Sequence, residues 1–259
     1  MAEVVIVESA EDAGEIAASL IETLVLRRAD AVLGVATGST PISTYRTLAA
    51  KRLDLTRVRA FALDEYVGLE PGHPESYHSV IHREVTLPLG LSPSLVRVPG
   101  DSLTRGADAT ALDSAAEEYE GAIAAAGGID LQILGIGATG HIGFNEPGSS
   151  LASRTRVKTL MHQTRLDNAR FFDSLDDVPR HCITQGLGTI LEARQLVLLA
   201  FGEHKAEAVA GALEGPVSAS TPGSVVQLHP HVTAIVDAAA ASRLRFADYY
   251  RDAWENRPR

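Results

Sequence analysis

Between Asp130 and Ser150 the chain passes from a short apolar run, Asp130-Leu-Gln-Ile-Leu134, directly into Gly135-Ile-Gly-Ala-Thr-Gly-His141-Ile-Gly-Phe-Asn-Glu146-Pro-Gly-Ser-Ser150. The run reads as a buried strand, and the glycines begin where that strand has to end. At the C-terminal end of a parallel strand glycine permits a sharp turn and lets a ligand approach the main chain. The loop also carries a titratable imidazole, His141, and a carboxylate, Glu146. A carboxylate near an imidazole fixes its tautomer and raises its basicity, as a general base requires. A lone histidine in a turn is more often a surface residue, so the whole run, not the imidazole, points to a site.

The same alternation recurs along the chain. Val4 to Val7 is β-branched, and Asp12 to Arg28 spaces Ile16, Leu20 and Leu24 as an amphipathic helix does, with a basic end. Ala31 to Ala36 is a second apolar strand running into Thr37-Gly-Ser-Thr-Pro41, where Thr40 as N-cap and Pro41 as first helical residue predict a helix through Leu48. Val58 to Leu63 is a third strand, ending at Asp64-Glu65-Tyr66. Ala109 to Ala126 reads as a helix, Asp130 to Ile136, Gln195 to Phe201 and His231 to Val236 as strands, and Ala241 to Glu255 as a closing helix. Strands separated by helical patterns argue for an α/β fold with a mostly parallel sheet covered on both faces. No repeat or low-complexity linker divides the chain, and residues 1–259 read as one domain.

Charge and cysteine content narrow the partners. A formal net charge of −10 argues against nucleic acid or an anionic membrane surface, and an anionic substrate would need basic residues concentrated at its site. One cysteine, Cys182, excludes an internal disulfide and a Cys-based zinc site, and fits a reducing cytosol. The N-terminus lacks the features of a signal peptide, and no apolar run approaches the ~20 residues that span a bilayer, so a cytoplasmic protein is expected.

Four strand ends carry residues with chemistry. Thr37-Gly38-Ser39-Thr40 offers hydroxyls, flexible backbone and the N–H groups of a helix start, which together favour a phosphate or sulfate. It is neither a Walker loop nor a dinucleotide fingerprint, and an ordinary strand–helix turn accounts for it equally well. Arg170 and Lys205 are candidates for the positive charge such an anion needs. Asp64 at a strand end, held against apolar walls, suits a general base with a raised pKa, and its neighbour Glu65 reads as a second site residue or as surface. His229-Pro-His231 lacks a carboxylate partner and reads as structural, as do His73, His78 and His82, so no metal is expected.

Thr37-Gly-Ser-Thr-Pro, Asp64-Glu-Tyr-Val-Gly-Leu, His73-Pro-Glu-Ser-Tyr, Gly140-His-Ile-Gly-Phe-Asn-Glu-Pro, Ser153-Arg-Thr-Arg-Val-Lys-Thr-Leu and Asn168-Ala-Arg-Phe-Phe, in this order, resemble the glucosamine-6-phosphate deaminase family. The resemblance implies a Rossmann-like three-layer α/β/α sandwich. It also implies conversion of glucosamine 6-phosphate and water to fructose 6-phosphate and ammonia with no cofactor. By the same resemblance Asp64 moves the C2 proton, His141 opens the pyranose ring with Glu146 in support, and Thr37, Gly38, Ser39, Thr40, Arg170 and Lys205 hold the 6-phosphate. One departure stands out: the family often has an aspartate two residues before the histidine, and here that position is Thr139. Allosteric members bind N-acetylglucosamine 6-phosphate at a hexamer interface, and Ser149, Arg156 and Lys158 match that site. Monomeric members exist, so the hexamer and the activator stay open. A 6-phosphogluconolactonase-like hydrolase and a non-catalytic sugar-phosphate sensor are the alternative readings.

Overall fold

The computed structural model describes residues 3–101, 103 and 106–257. Its strands are β1 (Glu3–Val7), β2 (Val32–Val35), β3 (Arg59–Ala62), β4 (Asp64–Tyr66), β5 (Val96–Arg97), β6 (Leu131–Gly135), β7 (Arg156–Thr159), β8 (His181–Thr184), β9 (Leu196–Ala200) and β10 (Val232–Asp237). Seven of them form one parallel sheet in the order β1-β10-β9-β6-β2-β3-β5. From β2 the chain steps outward to β3 and β5, whereas from β6 it steps the other way to β9 and β10. The direction reverses between β2 and β6, and beyond the carboxyl ends of two such strands an open α/β sheet forms its ligand crevice.

Local chemistry explains the elements. Helix Ala10–Arg27 is opened by Ser9, whose hydroxyl accepts from the Asp12 N–H at 3.1 Å, and it carries Glu11 and Asp12 in its first turn and Arg27 in its last. It buries Ala13, Ala17, Ile21 and Val25, the one face that helical periodicity allows. Asp108 opens helix Ala109–Ala125 in the same way, accepting from the Ala111 N–H at 2.9 Å. In β9 every residue of Leu-Val-Leu-Leu-Ala is buried, because helices cover both faces of the sheet. Each such leucine contributes roughly 1.5–3 kcal/mol by leaving water. Strands of this kind appear in the sequence as continuous apolar runs, not as alternation.

The structure also departs from the sequence reading. A three-stranded antiparallel sheet, β4-β8-β7, packs beside the main one. Asp64 therefore does not end β3; the chain leaves the large sheet at Leu63, and Asp64 opens β4, paired with Thr184. Strands of three or four residues, with β7 only half buried, carry no period long enough to read. Thr40 does not cap the following helix, which runs Ile42–Ala50 with Pro41 at its N-cap and no side-chain cap bond. The closing helix is shorter than expected, Ala247–Glu255, because residues 238–246 form turns.

Candidate active site

The crevice at the reversal point is a cavity of about 580 Å3. The loops after β2 and β6 line it, together with Asp64, Tyr77, Arg170 and Lys205. Thr37, Gly38, Ser39, Thr40 and His141 all reach it as well, so segments far apart in the sequence meet in one cavity. Gly38 has φ +90°, a left-handed conformation that glycine adopts without the Cβ strain of other residues. Gly137 has a different reason. A Cβ there would fall 2.2 Å from both Cε1 and Nε2 of His141, so glycine lets the imidazole lie against the main chain.

The imidazole is held from its Nδ1 side. Thr139 Oγ1 lies 2.8 Å from Nδ1, and Glu146 Oε2 lies 3.3 Å away. The shorter contact is a hydrogen bond. The longer one brings the carboxylate beside the ring without a hydrogen bond, since Oε2 makes none despite being buried. Glu146 is 2 % exposed, and Oε1 accepts the Met161 N–H at 3.1 Å. Burial pushes the Glu146 carboxyl up, but the His141 contact, the Thr164 hydroxyl and that N–H outweigh it and hold the pKa below the usual glutamate value. An ionised Glu146 beside Nδ1 favours the proton there, so the Thr139 hydroxyl accepts and Nε2 keeps its lone pair.

Asp64 is the opposite case. It is 7 % exposed, and its pKa is pushed up to about 8, first by burial and then by the neighbouring charge of Glu65. Among the described residues no hydrogen-bond donor offsets that burial. A carboxyl with these properties exchanges a proton near neutral pH.

The cations stand at one side of the cavity. Lys205 sits at the end of a short 3-10 turn, Glu203–Lys205, that leads into helix Ala206–Leu213. Burial pulls its pKa down; Arg170 adds to that and Asp167 opposes it. Arg170 is exposed, with its guanidinium 4.7 Å from the Phe171 ring centre. Two cations close enough to repel, beside three hydroxyls and a helix start, form a place for an anion.

Ser149, Arg156 and Lys158 do not line this cavity. Ser149 is buried and donates to the Glu146 carbonyl at 2.7 Å, and Arg156 donates to Asn145 Oδ1 at 2.9 Å. His229 is structural: its Nε2 donates to the Ala193 carbonyl at 2.7 Å and its Nδ1 accepts the His231 N–H at 3.1 Å. Two cavity features escaped the sequence reading. Tyr77 lines the cavity with its phenol beside Thr37, and it joins Tyr66, Phe144 and Phe172 in one aromatic cluster. That cluster ties the segment around His73–Tyr77 to the one around residues 160–172. The signal was available in the aromatics of the two motifs, but not their partnership, which is tertiary.

Residues 7–235 match the profile of the family described as glucosamine-6-phosphate isomerases/6-phosphogluconolactonase. A glucosamine-6-phosphate deaminase of Bifidobacterium longum is 57 % identical over 265 residues, covering 100 % of this chain and 98 % of its own length. One from Streptomyces avermitilis is 57 % identical over 99 % of this chain and 98 % of its own. A solved structure described as a monomeric glucosamine-6-phosphate deaminase superposes with a TM-score of 0.87 at 40 % identity, over 93 % of this chain and 99 % of the other. A 6-phosphogluconolactonase of Trypanosoma brucei shares the fold, with a TM-score of 0.74 at 20 % identity over 94 % and 99 % of the two chains. The chain belongs to the glucosamine-6-phosphate isomerase/6-phosphogluconolactonase family, and within it to the glucosamine-6-phosphate deaminases.

Proposed function

We propose that this protein converts glucosamine 6-phosphate and water to fructose 6-phosphate and ammonia. The observation that carries this is the meeting of an unpaired buried acid, Asp64, a carboxylate-held imidazole, His141, and two cations, Arg170 and Lys205, in one cavity. His141 Nε2 acts as acid/base on the ring oxygens, opening the pyranose to the aldehyde, with Glu146 steadying the imidazolium. Asp64 takes the proton from C2, and the electron pair forms the C1–C2 double bond while O1 gains a proton. Return of a proton to C1 leaves an imine at C2, which water converts to the ketone with release of ammonia. The Thr37–Thr40 hydroxyls and backbone, with Arg170 and Lys205, hold the 6-phosphate, so its binding energy orients the reacting carbons. Glu146 alone suffices for His141, with Thr139 contributing a hydrogen bond and no charge.

Identity of 56–57 % to deaminases over nearly the full chain favours this over lactone hydrolysis, because the lactonase likeness is one of fold alone. Ammonia release from glucosamine 6-phosphate, set beside hydrolysis of 6-phosphogluconolactone, tests it; lactone hydrolysis without ammonia would sink the proposal. Tight substrate binding with no turnover would instead establish a sensor. A buried free cysteine and the absence, among the described residues, of a helix able to cross a membrane support work in the cytoplasm. A second site for N-acetylglucosamine 6-phosphate on Ser149, Arg156 and Lys158, with assembly to a hexamer, is the accompanying proposal. Arg156 and Lys158 alternate onto the same face of β7, the outer strand of the small sheet, and support it. Sedimentation with and without that sugar phosphate tests it; an unchanged monomer would remove it.

A further inference from the structure

Asp64 and Glu65 are neighbours on β4, and side chains alternate along a strand, so they face opposite ways. Asp64 lines the catalytic cavity, whereas Glu65 lines a separate hollow of about 350 Å3 beside it. The Glu65 carboxylate is fully engaged by backbone. Oε1 accepts the Tyr66 N–H at 2.7 Å and the Tyr77 N–H at 2.8 Å, and Oε2 accepts the His78 N–H at 2.8 Å. Tyr77 and His78 are the first two residues of helix Tyr77–Ile81. The other two N–H groups that a helix start leaves without helical partners are also met. The Ser76 hydroxyl takes that of Ser79 at 3.2 Å, and the His73 carbonyl takes that of Ser76 itself at 3.0 Å. From this fixed start Tyr77 reaches the catalytic cavity, its phenol beside Thr37 and 3.4 Å from that of Tyr66.

We propose that Glu65 is a positioning residue for the deamination: its carboxylate fixes Tyr77 at the cavity wall, and its negative charge, one residue from Asp64, acts electrostatically on the base. The inference rests on the reading of Asp64 as that base. Burial pushes the Glu65 carboxyl up, and its three N–H donors and His78 pull it back. Asp64 has no such donors, so of the adjacent pair Glu65 ionises first and Asp64 holds its proton longer. Of the charges around Asp64, that of Glu65 is the one that pushes its pKa up. Tyr66 on β4, Tyr77 on its helix, Tyr119 on helix Ala109–Ala125 and Cys182 on β8 are all pushed up by burial and stay neutral through the acid and neutral range. Thr184, across the strand pair, is uncharged. His141 and Glu146, on the loop after β6, are engaged with each other. Glu65 is thus the charge through which the fold addresses Asp64.

The test is the pH dependence of kcat/KM for glucosamine 6-phosphate in the full chain, for wild type, Glu65→Gln and Glu65→Asp, with folding checked by circular dichroism. Glutamine keeps the size and removes the charge, together with one of the two accepting oxygens, so the acid limb moves down by about one pH unit. Aspartate keeps the charge but falls one methylene short of the helix, so the limb stays in place while KM rises and kcat falls about tenfold. A folded Glu65→Gln protein with the wild-type acid limb overturns the electrostatic role. Should the glutamine variant not fold, the aspartate variant decides: wild-type kcat and KM in it overturn the positioning role. Full turnover by Asp64→Asn would be a different failure, that of the base assignment itself.

Discussion

The start of β4 at Asp64 and the loop after β6 each bury one carboxylate, the first lining the cavity and the second behind His141, and they treat it in opposite ways. Asp64 receives burial and a neighbouring negative charge, and its pKa rises to about 8. Glu146 is buried as well, yet its pKa falls below the usual value because an imidazole, a hydroxyl and a backbone N–H face it. Burial alone therefore does not set the ionisation of a carboxylate; the donors that accompany it do. The two settings suit two tasks. A group that must take and return a proton works best near neutral, and a group that must steady an imidazolium works best when permanently charged.

The largest effect that would break this pairing is on turnover. Asp64→Asn, which cannot accept the C2 proton, is expected to lower kcat for ammonia release by about 10³-fold, within the usual range for a lost general base. Calorimetric binding of the sugar phosphate should stay near wild type, since Asp64 is not among the groups proposed to hold the 6-phosphate. Unchanged kcat would end the comparison.

The same substitution should move stability in the other direction. Asp64 holds its proton in the folded state up to about pH 8 but loses it near pH 4 when unfolded, so the folded state binds the extra proton between those values. Stability from this group is complete below the unfolded pKa and is lost as pH rises through the folded one. Asp64→Asn removes that loss. The variant should be more stable than wild type by on the order of a few kcal/mol at pH 9 and nearly equal at pH 4, read from urea melts at both. A difference independent of pH would show that Asp64 titrates normally.

Glu146→Gln tests the other half. Its oxygen keeps contact with Nδ1 but the charge is gone, so the imidazolium formed during ring opening loses its counter-ion. A fall in kcat/KM of about 10–100-fold is expected, smaller than for Asp64→Asn because His141 and Thr139 remain. A loss equal to that of Asp64→Asn would mean that the two carboxylates act as one unit.

This asymmetry was only half legible in the sequence. The continuous apolar runs at β2, β6, β9 and β10 announced a parallel sheet, because burial on both faces leaves a mark that needs no partner to be read. The strand-end residues Thr37, Asp64, His141 and Lys205 were visible for the same reason. The small sheet was not, since β4, β7 and β8 are too short to show a period and acquire their meaning from pairing with one another. Thr40 illustrates a local rule overridden: a good capping residue before proline is left out of the cap by a helix that starts one residue later than proposed. The environment of Glu65 lies beyond sequence, because two of its three donors come from a helix start twelve and thirteen residues away.

The smallest predicted effect concerns Thr139. Its hydroxyl is 2.8 Å from His141 Nδ1, closer than Glu146 Oε2 at 3.3 Å, so it fixes the ring as a hydrogen-bond acceptor without adding charge. Thr139→Val keeps the shape and removes that bond. Because Glu146 still favours the proton on Nδ1, kcat/KM should fall only about threefold, equivalent to about 0.6 kcal/mol. Thr139→Asp brings a second carboxylate to the same nitrogen. Two negative charges so close raise each other's pKa, so part of the added charge is taken back as bound protons near neutral pH. Activity should therefore stay within a few-fold of wild type, with the larger change in the pH profile. An inactive wild type restored by Thr139→Asp would show instead that Glu146 alone cannot hold the imidazole, and the division of labour between the two buried carboxylates would then need a third.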